Sequence, residues 1–128
     1  MSDEIRRRID GGSEFEARFA YSRAVITDSH VFVAGTTGYD YRTMRISADP
    51  AEQTRQCFKN IAAVLKEADS SLAAIVRVRY IVTDRAIVDA CAAVFQEFLA
   101  PHPPAATLII AELLDEAMQI EIEVTASR

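Results

Sequence analysis

Residues 103–126 read PPAATLIIAELLDEAMQIEIEVTA, and their pattern decides the fold. An apolar run from Ala105 to Ile110 is followed by an acidic loop, Glu112 to Glu116, and then by a second strand of strict alternation. In that strand Ile120, Ile122 and Val124 point one way, while Gln119, Glu121, Glu123 and Thr125 point the other. A period of two places the apolar set on one sheet face and the carboxylates on the opposite one.

Upstream, residues 74–83 predict a third strand. Val76, Val78, Tyr80 and Val82 make an apolar face, and Ile75, Arg77, Arg79, Ile81 and Thr83 make the other. Two arginines among two isoleucines are too apolar for plain solvent and too charged for a core, so that face is expected to be an interface. A helix follows Asp84, with Ile87, Cys91, Val94, Phe95, Phe98 and Leu99 inward, and Pro101 stops it. His102, Pro103 and Pro104 form a stiff link into the last two strands. Before the third strand, Asp49-Pro50-Ala51-Glu52 predicts a helix start with Asp49 as cap and Glu52 completing the box. Thr54, Cys57, Phe58, Ile61, Leu65 and Ala68 then recur at helical spacing.

The first half is expected to open with a strand over residues 15–26 carrying Ala17, Phe19, Tyr21, Arg23 and Val25 on one side. Asp28-Ser29 turns it into a second strand, residues 31–35, closed by Gly35. Residues 36–48 form a polar loop whose Tyr39 and Tyr41 wall a pocket or pack across a subunit boundary. The order of elements predicts an α+β fold, a mixed sheet backed by two helices on one face. With no repeat and no long linker, residues 1–128 are a single domain, residues 1–13 being a flexible tail.

Composition narrows the function. The net charge is −5, and the one basic run, Arg6-Arg7-Arg8, is flanked by acids and Gly11-Gly12. No nucleic-acid partner is expected, because a binder needs a basic stripe to neutralise phosphates. No apolar run approaches ~18 residues and no apolar core follows the basic N-terminus, so neither a membrane span nor a secretory signal is expected. A cytoplasmic location follows, with Cys57 and Cys91 as buried free thiols. His30 and His102 are isolated and no phosphate-binding fingerprint occurs, so no metal site and no cofactor is expected.

The chain resembles the RidA family, also called YjgF or L-PSP. Those proteins end in a Pro-Ala-Arg-Ser-like turn into a strand, a loop and a Glu-Ile-Glu strand. Ala105, Ala106 and Thr107 stand at the Ala-Arg-Ser positions, and Ile120 to Val124 match the last strand. The resemblance implies a chorismate-mutase-like homotrimer packed sheet to sheet, with a small-molecule ligand in each intersubunit cleft. It places Tyr21 and Gly35 beside that pocket, with Ala106 and Thr107 at the turn. It also implies hydrolysis of amino-acid-derived enamines and imines to ammonia and a 2-oxo acid, with Glu121 matching the glutamate that positions water.

The family's arginine, which holds the substrate carboxylate, is Ala106 here. Loss of such a clamp typically costs about 2–5 kcal/mol. Three readings of Arg77, Arg79, Glu121 and Glu123 stay open: an ion-pair network in the assembly, a relocated clamp using Arg79 or Arg23, and plain solvent exposure. Two functions follow: a trimeric deaminase (a 2-iminobutanoate/2-iminopropanoate deaminase-like hydrolase) of weak or altered range, or a non-catalytic ligand-binding or regulatory trimer. Endoribonuclease activity, suggested by an older family name, ranks third.

Overall fold

Folding this chain requires its apolar alternations to share one buried face, and the computed structural model, which describes residues 3–128, shows how they do so. In chain order the first elements are β1 (Ile5–Ile9), α1 (Glu14–Phe19), β2 (Ala24–Thr27), β3 (His30–Thr37), β4 (Tyr39–Asp40) and β5 (Arg45–Ile46). There follow α2 (Pro50–Glu67), β6 (Ile75–Val82), α3 (Val88–Leu99), β7 (Ala105–Ile110) and β8 (Ile120–Ser127).

Six strands form one sheet in the order β1-β2-β3-β8-β6-β7, and β4 with β5 makes a small separate ribbon. Within the six-stranded sheet β6 and β7 are parallel and every other neighbouring pair is antiparallel. The fold is therefore α+β with a mixed sheet. The alternating strand β8 lies at its centre between β3 and β6, where a strand needs one wholly apolar face. Its Ile120, Ile122 and Val124 are buried. The acidic loop thus carries the chain from the sheet edge back to its middle, and β7 and β8 are not partners.

Helices α2 and α3 cover the apolar face. Phe58, Ile61 and Leu65 of α2 and Cys91, Val94 and Leu99 of α3 close on Val31, Val33, Val78 and Val82. Aromatic packing joins the layers: Phe58 stacks on Phe98 at 4.8 Å and Tyr80 on Phe95 at 3.8 Å between ring centroids. Each large side chain so buried contributes about 1.5–3 kcal/mol. Both cysteines are buried and free.

Four local expectations are corrected. Residues 15–26 are not one strand: α1 occupies Glu14–Phe19, and β2 begins only at Ala24. The cause is a capping box, in which the Ser13 hydroxyl accepts from the Glu16 N–H and the Glu16 carboxylate accepts from the Ser13 N–H. The helix stops where Ala20 turns left-handed at φ 56°. Residues 1–13 are not all tail either, although the first two of them lie outside the described residues. Ile5–Ile9 pairs with β2 as an edge strand, its backbone bonded while Arg6, Arg7 and Arg8 stay exposed.

The box expected at Asp49 does not form. Asp49 makes no side-chain capping bond, and Glu52 instead pairs with Arg55. Finally, Ile75 rather than Val76 is buried, and Val76 is exposed. A register shift between Ile75 and Arg77 against β8 puts two consecutive residues opposite one, which breaks the alternation there.

The two caps give a direct comparison by urea denaturation. Ser13→Ala should cost about 1 kcal/mol of stability, the usual worth of a bonded N-cap. Asp49→Ala should cost less than half as much.

Candidate functional site

The site begins with one extra residue in β3. Val33 faces Val124 and Thr36 faces Ile122, so three steps on β3 match two on β8. Such a bulge frees the intervening backbone and re-aims it. The Ala34 N–H turns to the Arg23 carbonyl at 3.0 Å, and the Gly35 carbonyl accepts from Arg23 Nη1 at 3.1 Å. Gly35 is thereby pressed against β8. A Cβ at that position would fall 2.8 Å from Glu121 Cδ, so any other residue would push the carboxylate out of this place.

Above this floor opens a cleft of about 450 Å³. Ala34, Gly35, Thr37 and Glu121 line its base, with Glu123 at one side. Phe15 and Phe19 of α1, Tyr21 and Tyr41 form aromatic walls, and Leu114 and Met118 come from the loop before β8. That loop is lashed down. Tyr39 donates to Asp115 at 2.8 Å. The buried Gln53 amide donates to the Ser47 and Ala117 carbonyls and accepts from the Gln119 N–H.

Arg23 supports the floor from below and is 2% exposed. Its Nη1 also reaches Thr36 Oγ1 at 3.1 Å, its Nη2 donates to the Tyr21 hydroxyl at 3.2 Å, and its Nε stands 3.7 Å from Glu16 Oε2. The guanidinium carbon lies 4.8 Å from the centre of the Tyr41 ring. The Tyr41 hydroxyl accepts from the Thr37 N–H at 2.8 Å.

Glu121 is the carboxyl at the base of this arrangement. Burial pushes its carboxyl above the ordinary value, and the neighbouring Glu123 charge adds to the effect; Arg23 and Arg79 pull the other way. No hydrogen bond holds it among the described residues. A carboxyl of raised pKa facing a cleft holds a proton more readily than a free one and can pass it to a bound molecule. Among the described residues no group of three or more His, Cys, Asp and Glu side chains is placed to hold a metal ion. No helix among them is long and apolar enough to cross a membrane.

Of the residues singled out in the sequence, Tyr21, Gly35 and Glu121 meet in this cleft. Arg79 does not line it; its Nη2 bridges Glu123 Oε1 at 2.9 Å, across the β6–β8 pairing. Ala106 and Thr107 lie on β7, opposite Val78 and Arg79, and also stand outside it. Ala106 faces the groove under α3 with Phe95 and Leu99. Phe15, Leu114 and Met118 were not anticipated. The Ser-x-x-Glu signature at Ser13 to Glu16 was the signal available for the helix that brings Phe15 in.

Comparison with known proteins agrees with this fold. The family model described as Endoribonuclease L-PSP matches residues 11–128. The chain belongs to that family, the RidA/YjgF proteins. A Streptomyces coelicolor protein described as uncharacterised is 30% identical over 100% of this chain and 96% of its own length. Human 2-iminobutanoate/2-iminopropanoate deaminase is 27% identical over 98% of this chain and 93% of its own. A crystal structure of a YjgF-family member from Mycobacterium tuberculosis is 32% identical and superposes with a TM-score of 0.87, covering 95% of this chain and 98% of that one.

The raised Glu121 pKa carries a signed consequence. A carboxyl that binds its proton more tightly when folded adds stability below its unfolded value, about pH 4. That contribution is lost as pH rises through the higher folded value. Glu121→Gln should therefore be more stable than the parent chain at pH 7, and the difference should close toward about pH 4. Urea melts at the two pH values measure it.

Proposed function

We propose that this RidA-family chain hydrolyses small imines or enamines to a carbonyl compound and ammonia, without a cofactor, in clefts completed where copies of the chain pack together. The observation that carries this reading is Glu121, an unbonded carboxyl of raised pKa aimed into a cleft beside Gly35.

The chemistry follows from that placement. Water adds to the carbon of the protonated C=N while the Glu121 carboxylate takes one water proton, which leaves a neutral carbinolamine and a protonated Glu121. Glu121 then gives that proton to nitrogen, the C–N bond breaks, and ammonia departs as the carbinol hydroxyl loses its proton to the Glu121 carboxylate and the carbonyl forms; that proton goes on to the next imine. One group serves as base and then acid, which suits a carboxyl whose pKa is moved toward neutrality. The Tyr21 hydroxyl accepts from Arg23, so its own hydrogen is free for the substrate nitrogen or oxygen.

The open sheet face supports a homotrimer. Arg77, Arg79 and Glu123 stand there beside exposed Phe32, Val76 and Ile109. That mixture of charge and apolar surface fits coverage by sister copies. The altered residue at position 106 supports a substrate range different from that of relatives named for 2-iminobutanoate and 2-iminopropanoate. It also favours the second reading, a trimer that binds a metabolite without turning it over. Ribonuclease action has less support, because phosphates would meet Glu121 and Glu123 in this cleft.

The test generates imines in situ with an oxidase and times carbonyl release with and without the protein. Acceleration is expected, and Glu121→Gln should reduce it by about a hundredfold or more, the usual contribution of a general acid–base group. No acceleration on any imine leaves the binding reading. Sedimentation at micromolar concentration should show a trimer; a lone protomer removes the shared cleft.

A further inference from the structure

The chemistry of the cleft lining bears on which imines it takes. Among the described residues that line it, the only charged side chains are Glu121 and Glu123. The remaining large ones are aromatic or aliphatic: Phe15, Phe19, Tyr21, Tyr41, Leu114 and Met118. An amino-acid-derived imine would bring a carboxylate into that space. It would meet two carboxyls there and no free cation, a mismatch that disfavours such a ligand.

Among the described residues no nearby cation of the same protomer is free to clamp it, although Arg23 and Arg79 act on Glu121 from a distance. Arg23 spends its donors behind the floor, on the Gly35 carbonyl, Thr36 Oγ1 and the Tyr21 hydroxyl, with Nε toward Glu16. It is 2% exposed, so a ligand does not reach it without dismantling the bulge. Arg79 is bridged to Glu123. A cation committed to a carboxylate in the same protomer is a poor second clamp, since a ligand must displace that carboxylate and leave it beside its own.

We propose that the cleft selects imines bearing no acidic group, those derived from amines rather than from amino acids, with the C=N at Glu121 and an apolar substituent against the aromatic walls. This rests on the hydrolase reading above and narrows it. The protonated imine pairs with Glu121 and lies among rings whose faces attract cations. The neutral imine takes the free Tyr21 hydrogen. Phe15, Phe19, Leu114 and Met118 supply the apolar contact that a carboxylate-bound substrate draws from its clamp. The balance is R1R2C=NH + H2O → R1R2C=O + NH3, with no oxidant or reductant.

Two matched imines test it. Benzylamine with a flavin-dependent amine oxidase supplies the acid-free imine, and L-phenylalanine with an amino-acid oxidase supplies the carboxylated one. Semicarbazide traps whatever the protein does not hydrolyse. The benzylamine-derived imine should be hydrolysed about tenfold faster or more, given what a like-charge contact costs. Leu114→Arg, at a rim position 60% exposed, should narrow or reverse the ratio. Equal or faster hydrolysis of the phenylalanine-derived imine overturns the selectivity while the hydrolase reading stands. Calorimetry of benzylammonium against phenylalanine reads the charge preference without turnover. If neither imine is accelerated but benzylammonium binds more tightly, the hydrolase reading falls and the ligand class stands. If phenylalanine binds as well as benzylammonium, the ligand class falls.

Discussion

A buried guanidinium holds this structure in its working shape. Arg23 sits under the sheet bulge with a carbonyl, two hydroxyls and a carboxylate around it. Burying such a charge costs several kcal/mol unless its partners are placed in advance. Those partners come from α1, from Tyr21 and from β3, three segments that otherwise share little apolar contact. The charge therefore fixes where they meet. Its Nε is the one buried side-chain nitrogen left without a hydrogen bond among the described residues, facing Glu16 beyond bonding distance. Removing Arg23 would leave the buried Glu16 charge with only the Gly11 and Ser13 N–H groups, among the described residues, to hold it.

That constraint works through Gly35. The bulge gives β3 its extra residue, the Arg23 contacts hold the freed carbonyl, and the missing Cβ admits Glu121. The carboxyl is then perturbed by environment rather than by a special partner. The opposite wall is set from the far side of the fold: Gln53, in the first turn and a half of α2, bonds both ends of the residues before β8. Two polar anchors, each largely satisfied and neither in the cleft, thus position the apolar side chains that face it.

How much of this was legible depended on period. The central strand β8 and helices α2 and α3 announce themselves because their patterns run for two turns or several alternations. Helix α1 did not: over six residues, Ala17, Phe19 and Tyr21 alternate as readily as a strand would. Its capping box at Ser13 and Glu16 is the better evidence and played no part in the strand reading. The shift at Ile75 and the bulge at Ala34–Gly35 depend on what β8 brings alongside, so no local pattern records them. Tyr21, Gly35 and Glu121 were picked out by family likeness. Phe15 arrives through a helix misread as strand, whose Ser13–Glu16 box was the available signal, whereas Leu114 and Met118 arrive through a loop and lay beyond reach. The expectation of a free N-terminal tail failed for a related reason: Ile5–Ile9 pairs through backbone atoms, to which hydrophobicity is blind.

Strand β7 has one more implication. All six of its residues, Ala105 to Ile110, are exposed, and its outer edge pairs with no other strand among the described residues. A ribbon that is oily on both sides and open along one flank is a seed for cross-β stacking. A single copy with that flank bare would be lost by clumping before it unravelled, so the working life of the molecule in a concentrated solution would depend on what covers the flank.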